Sequence, residues 1–558
     1  MGSNRKSNSN FIVQGSILAF ASIISRIIGL IYRVPLTAII GDVGNSYYSC
    51  AFEIYSLLLL ISSCSLPLAV SKLVSARVAK KDRKNAYRVF KVAFLFAIVS
   101  GTIAALVLYF GAEFITGTLL KTPFSIFAVK ILAPTLIIVA VLGVIRGFFQ
   151  GLGTMMPSAF SQVIEQIVNA IVSVVAAYYL FSYGAKIGDV LGQKENYSAA
   201  YGAAGGTLGT CIGAVSALLF VGFVFLIYKK VLKRQMRKDA KVRTESYSRI
   251  FHVLIITVIP VLISTTIYNI SSIIDQGLFK NIAFLQGYKA KDIDTWWGIF
   301  SGKYKTLINV PISIASSMAS SCVPSLAAAF AENNTRAVKS QINTAIRFIM
   351  IIAFPCAVGL GVLASPILQL LFNDSRQMPA LMLEVGVISV VFYSLSTLTN
   401  GLLQGIDQMK APIKNAVIAL VAHIGVLFVL MYGFHLNIYA VVYANAFFAF
   451  LMCVLNGRAL KRYSGYRQEM KKTYVIPAIA SLVMGVSVFL SYKGAFFLFQ
   501  LFAGKKMANG VATIVAILIG VFVYAIVLLL LKGIGEEELK RFPKGYVLIR
   551  IAKKFRLL

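Results

Sequence analysis

Fourteen long apolar runs decide what this chain can fold into. Their approximate limits are 13–40, 47–71, 92–112, 124–145, 158–182, 202–228, 250–279, 306–330, 348–365, 379–402, 415–433, 437–457, 473–492 and 509–531. Each is near or above the ~20 residues an α-helix needs to cross about 30 Å of hydrocarbon. The runs are continuous and do not alternate at period two, which excludes a β-barrel. With 58% of 558 residues hydrophobic and 13% charged, a soluble globule could not hide its apolar surface. The expected class is an all-α polytopic membrane protein with about 14 transmembrane helices. The first run is too long, and too polar inside, for a signal peptide.

The net charge of +34 would suggest nucleic-acid binding in a soluble protein. Here the basic residues fall between apolar runs, so they read as topogenic charge and as attraction to anionic membrane lipids, with no nucleic-acid partner. Placing the N-terminus inside puts 39 of the 54 Lys and Arg on the cytoplasmic side, 12 outside, and Arg26, Arg33 and Lys130 within spans. This predicts a multi-pass protein of a bacterial plasma membrane with both termini cytoplasmic. Asn45 and Asp374 are expected in outer loops open to reagents, and Lys303 reads as plain loop charge.

The chain is internally duplicated. RGFFQGLGTM (146–155) resembles NGLLQGIDQM (400–409) at an offset of 254, and Pro67 matches Pro311 at an offset of 244. Both six-span sets start on the same side, so the repeat is parallel. The expected organisation is an N-terminal lobe 1–228, a basic cytoplasmic linker 229–249, a C-terminal lobe 250–458, two further spans in 459–532, and a tail 533–558. The end of that tail, GYVLIRIAKKFRLL, reads as a basic amphipathic helix on the inner leaflet.

Charges inside the apolar runs are the candidate site. Ser22, Arg26, Gly29 and Arg33 share one face of the first span. Arg26 lies roughly 20 Å from the inner end and Arg33 about 10 Å further out. A guanidinium at that depth is costly without a wet cavity, a carboxylate or an anionic ligand. Glu53 in span 2 and Glu165 in span 5 are the carboxylates that could pair with Arg26. Lys305, Asn309, Ser313, Ser316 and Ser320 form a second stripe in span 8. In span 7, Asn269 and Asp275 are candidates for ion coupling, with Asp275 the natural place for sodium or a proton. His423 in span 11 is the remaining titratable candidate. No metal site, disulfide framework or cofactor motif is legible in the six scattered cysteines. Without a Walker A, GxSxG or HExxH motif the chain reads as a non-enzyme.

The blocks SRIIGLIYR (25–33), LPLAVSKLVS (66–75), RGFFQGLGTMMPSAFSQVIEQI (146–167), GKYKTLINVPISIASSMASSCVPSL (302–326) and EELKRFPKGYVLI (537–549) resemble the multidrug/oligosaccharidyl-lipid/polysaccharide flippase superfamily. The similarity is to its polysaccharide-biosynthesis branch of Gram-positive type, which includes the lipid II flippases and the stage V sporulation protein B-like proteins. It implies two six-helix lobes plus two C-terminal helices that form a groove for an undecaprenyl tail. It also implies a central cavity whose arginines engage a lipid pyrophosphate. The family pattern Arg-x-x-Gly-x-x-Arg, followed by an acid, stands here as Arg26, Gly29 and Arg33, with one extra residue and Val34 in place of the acid. Glu53 occupies the place of a span 2 cavity arginine, and Lys305 falls within one position of the span 8 basic residue. Asp275 looks like the span 7 acid of the family's sodium site, while span 11 offers His423 and no carboxylate.

The expected function is alternating-access transport of an undecaprenyl-pyrophosphate-linked glycan, lipid II first, by a monomer. Coupling would be to sodium, protons or membrane potential, with no cofactor. A flippase for another polysaccharide or teichoic-acid precursor differs only in headgroup. A multidrug cation antiporter needs cavity acids, and the first span has none. A glycan polymerase needs an outer catalytic site, and the longest outer segment, 280–305, is short.

Overall fold

A computed structural model describes residues 2–64, 66–238, 244–502 and 504–533, with the side chains of 2–19, 63–64, 79, 238, 260–265, 267–269 and 324 left aside. The expected amphipathic tail beyond residue 533 and the block 537–549 lie outside the described residues. Eighteen helices follow in order: α1 (Gly2–Leu59), α2 (Leu66–Ala79), α3 (Arg83–Glu113), α4 (Ile126–Gly151), α5 (Met156–Leu191), α6 (Lys194–Lys238), α7 (Tyr247–Asn269), α8 (Ser271–Leu285), α9 (Ala290–Ile299), α10 (Lys305–Ala331), α11 (Thr335–Val362), α12 (Ala364–Phe372), α13 (Gln377–Gly386), α14 (Ile388–Gly405), α15 (Lys410–Phe428), α16 (Ile438–Ser464), α17 (Ile476–Gln500) and α18 (Lys505–Leu530). No strand occurs among the described residues. The chain is an all-α polytopic membrane protein.

Among the described residues, eleven helical stretches are long and apolar enough to cross a bilayer, or twelve if the bent pair Gln377–Gly386 and Ile388–Gly405 is one span. Part of the difference from fourteen runs comes from how runs join. Phe20–Val78 holds the first two runs in one 59-residue stretch. Within α1, Gly41 leaves helical geometry, at φ 69° and ψ −177°. That left-handed φ costs glycine little and other residues more. The seventh run spans α7 and α8; its side chains at 260–265 and 267–269 lie outside those described, and Tyr247–Ile259 is the apolar part that is described.

Two compact units make up the chain, Met1–Gly302 and Lys303–Leu558. The basic linker 229–249 marks the sequence repeat; the Gly302/Lys303 boundary marks compactness, and α7 to α9 pack within the first unit. One core of the first unit gathers Tyr47, Tyr48, Ala51, Leu108, Leu132 and Leu136. A second gathers Leu66, Val70, Phe90, Phe148, Phe149 and Leu254. In the second unit, Leu363, Ala480, Met484, Tyr524 and Leu528 form a core of α11, α17 and α18. Large apolar side chains such as Phe110 (76% exposed) and Phe522 (67%) face outward, as lipid contact requires and water would penalise.

The repeat is visible as the same helix contact made twice. A Cβ at Gly147 of α4 would lie 2.6 Å from the Pro67 carbonyl oxygen, and one at Gly151 would lie 2.6 Å from Val74 Cβ. In the second unit, a Cβ at Gly401 of α14 would meet Ala319 at 2.7 Å, and one at Gly405 would meet Leu326 at 3.0 Å. Glycines at an offset of 254 thus press on partners at an offset of 252. This corrects the Pro67–Pro311 match: the counterpart of Pro67 is Ala319, because contact and not residue identity defines the equivalence.

A tight crossing that the sequence reading missed joins α5 and α6. Gly205, Gly209 and Gly213 of α6 sit against Ala176, Ser173 and Glu165 of α5, closer than any Cβ would allow. The signal was present as glycines at intervals of four, the small-residue spacing that lets membrane helices approach.

Candidate functional site

The polar face of α1 meets the polar face of α5. Ser22 Oγ donates to Gln162 Oε1 at 3.2 Å, and the open side of Gly29 lies 3.8 Å from Gln166 Oε1. Further along, Asn169 Nδ2 donates to the Tyr32 hydroxyl at 3.4 Å, and Ser173 Oγ donates to Asn169 Oδ1 at 2.8 Å. Helical periodicity puts these groups on one side of each helix. Ser22, Gly29 and Tyr32 of α1 therefore face a line of amides and hydroxyls on α5 within the first unit.

Arg26 is exposed and Arg33 half-buried. The Arg33 guanidinium lies 4.9 Å from the ring centre of Tyr48 and 6.0 Å from that of Phe52. Two aromatic faces hold the planar cation without neutralising it. Glu53 is half-buried in the same helix. Glu165 pairs with Arg146: Nη2 and Oε2 are 2.8 Å apart, and Arg146 Nε donates to Ser161 Oγ at 2.8 Å. This pairing gives Glu165 a cation other than Arg26.

In the second unit Lys305 is half-buried at the start of α10 and Asn309 is exposed. Two serines of the stripe bond back to their own helix: Ser313 Oγ donates to the Val310 carbonyl at 2.7 Å and Ser320 Oγ to the Ser316 carbonyl at 3.0 Å. Such back-bonding lets hydroxyls sit at membrane depth. Lys303 is not plain loop charge. Its Nζ lies 2.6 Å from Asp374 Oδ2, and both side chains are buried. Arg376 closes on the same oxygen at 2.6 Å. Burial alone would raise the Asp374 carboxyl, but the hydrogen bonds from Arg376 and Lys303 outweigh it and hold the group well below the usual carboxylate range. Asp374 and Asn45 are both buried, so neither is open to reagents as expected from their loop positions.

Asp275 and its neighbour Gln276 are buried in α8 of the first unit. His423 belongs to the second unit and is fully buried, with Nδ1 2.8 Å from the Ala444 carbonyl oxygen and its ring against Phe448 at 5.8 Å. The Asn269 side chain lies outside those described. No group of three or more metal-ligating residues occurs among the described residues.

A second buried charge escaped the sequence reading. Lys280 Nζ donates to Asp294 Oδ1 at 2.6 Å, to Ser46 Oγ at 2.8 Å and to Thr122 Oγ1 at 2.8 Å. Trp297 Nε1 donates to Ser49 Oγ at 3.1 Å beside it. The available signal was the Trp296–Trp297 pair inside a loop otherwise read as outer charge.

Residues 12–330 match the family described as polysaccharide biosynthesis protein, and residues 305–429 match the MatE family. The chain is 25% identical over 527 residues to a lipid II flippase MurJ of Bacillus subtilis, covering 91% of this chain and 93% of the relative. It is 24% identical over 535 residues to stage V sporulation protein B of the same organism, covering 96% and 98%. A solved structure of the lipid II flippase MurJ in an inward closed conformation superposes with a TM-score of 0.63 at 16% identity, covering 91% of this chain and 97% of that one. At that identity the superposition speaks for the fold.

Proposed function

The chain belongs to the polysaccharide biosynthesis protein family, and from that premise we propose that it is a flippase for a lipid-linked pyrophosphate precursor of the cell wall, with lipid II as cargo. The carrying observation is the pair of first-span cations, Arg26 exposed and Arg33 held against Tyr48 and Phe52, beside a line of amides on α5. Guanidinium groups bind phosphate oxygens in bidentate fashion, so fixed arginines on a membrane helix suit a pyrophosphate headgroup. Glu165, the nearby acid on α5, has Arg146 as its cation. The first-span charge is the wrong sign for cationic drugs, which argues against multidrug antiport.

In this reading Lys305 and Asn309 of the second unit are further candidates to contact the headgroup, and alternating access moves the cargo from inner to outer leaflet. Asp275, a carboxylate at membrane depth, is the proposed coupling residue for sodium, protons or membrane potential. The protein acts as a monomer in a bacterial plasma membrane with both termini cytoplasmic. Lipid II as the cargo is supported by the similarity to a chain described as a lipid II flippase. The test is genetic and biochemical. The gene should rescue a bacterium depleted of its lipid II flippase, and the purified protein should translocate lipid II in vesicles. Failure of rescue together with translocation of another undecaprenyl-linked glycan would replace the cargo but keep the mechanism.

A further inference from the structure

A groove of about 810 Å³ runs between α3, α4 and α6 on the outer surface of the first unit. Its floor is a cluster of rings: Phe90 lies 5.7 Å from Phe94 and 4.8 Å from Phe225, centre to centre. Phe223 forms an exposed wall at 63%. Gly222 leaves the middle open, since a Cβ there would meet no atom within 4 Å. Lys91 is the one cation among the lining residues. Its Nζ lies 5.2 Å from the ring centre of Tyr87, one turn nearer the start of α3. Among the described residues no carboxylate pairs with it. Its neighbours at this end are engaged: Arg83 with Gln235, and Arg88 over the Tyr247 ring at 4.8 Å.

We propose that this groove is a binding site for an anionic phospholipid of the inner leaflet, with one acyl chain along the aromatic floor and the phosphate on Lys91. The side chain of a helical residue leans toward the helix N-terminus. Lys91 therefore leans toward the loop before α3, which the charge distribution places on the cytoplasmic side. Val141, Ile145 and Leu218 line the groove at the inner halves of their spans on the same topology. The occupant must be apolar along most of its length and negative at the cytoplasmic interface, which describes an acidic phospholipid and not a zwitterionic one. A groove sized for a ligand, mostly apolar with one placed charge, differs from the convex face that ordinary solvating lipid covers. The site is separate from the first-span arginines, so it stands whether or not the cargo assignment does.

The test uses the full chain purified in detergent, stripped of lipid and titrated with phosphatidylglycerol or phosphatidylcholine, with bound lipid counted by native mass spectrometry. Wild type should retain one phosphatidylglycerol per chain at least threefold more tightly than phosphatidylcholine. Lys91→Gln should remove that preference. Gly222→Phe should remove retention altogether by filling the groove, with its thermal unfolding unchanged because the new ring enters open space. Equal retention of the two lipids by wild type, or unchanged phosphatidylglycerol retention in both variants, would overturn the proposal. So would disulfide-linked dimers through Phe223→Cys in place of lipid binding, since a second copy would then occupy the groove.

Discussion

The ammonium of Lys280 lies 2.6 Å from Oδ1 of Asp294, and Lys280 is wholly removed from solvent. Ser46 Oγ donates to the same carboxylate oxygen at 2.9 Å, so α8, α9 and the bend region of α1 meet in one polar knot. Breaking one side of a buried pair strands the other charge, at about 3–5 kcal/mol. Asp294→Ala should therefore lower thermal stability sharply in detergent. Lys280→Met with Asp294→Leu should recover most of the loss, because both charges leave together. A double variant as unstable as the single one would show that the pair is not what anchors this segment.

The glycine contacts between α4 and α2 predict a packing defect. Gly147→Leu would drive a side chain into the Pro67 backbone, which cannot yield like a flexible side chain. Overpacking of this kind costs about 1–3 kcal/mol or more. Gly401→Leu should behave alike in the second unit against Ala319. Yield of monodisperse protein in detergent should fall for both variants, whereas Gly425→Leu, which has open space around it, should be tolerated.

These contacts also mark what the sequence could disclose. The apolar runs were legible because hydrocarbon thickness sets their length, and the stripe Ser22, Arg26, Gly29, Arg33 was legible because helical period sets its face. Lys280 with Asp294 and Lys303 with Asp374 were not. Each joins residues from separate segments, and periodicity says nothing about where a loop folds back. The Pro67–Pro311 match failed for a related reason: two prolines in apolar helices coincide easily, while close approach at Gly147 and Gly401 depends on which helix lies opposite.

Acid should loosen the second unit at its Asp374 cluster. The folded carboxyl sits below the ordinary range, against an unfolded value of about 4. Its stabilising contribution is therefore complete above that unfolded value and is lost as pH falls through the lowered folded one. Thermal stability should drop below about pH 4, and Asp374→Asn should lower stability at neutral pH and flatten this acid limb. An unchanged acid limb in Asp374→Asn would assign the titration elsewhere.

Orientation is testable at exposed positions. Single cysteines at Gln193, Lys289 or Ser375 should react with membrane-impermeant thiol reagents in intact cells. Those at Lys81, Lys233 or Arg467 should react only after permeabilisation. All six positions are exposed, so burial does not confound the outcome. Labelling of Lys233→Cys in intact cells would invert the topology.

Arg26 is the most consequential residue to change. It is exposed on α1, one turn from Ser22 and its bond to Gln162. Two charge-assisted hydrogen bonds to phosphate, at about 1.5–3 kcal/mol each, set the expected effect. Arg26→Ala should weaken binding of a pyrophosphate lipid at least tenfold and abolish rescue of a flippase-depleted strain at normal membrane levels. Arg26→Lys should rescue partly, because an ammonium keeps the charge and loses the planar fork. A purely structural arginine predicts otherwise: Arg26→Ala would express poorly, and neutralising a carboxylate partner such as Glu53 would restore it. Glu165→Gln should not restore it in either case, since that carboxylate belongs to Arg146 at 2.8 Å. Normal expression with full rescue by Arg26→Ala would remove this residue from the transport path.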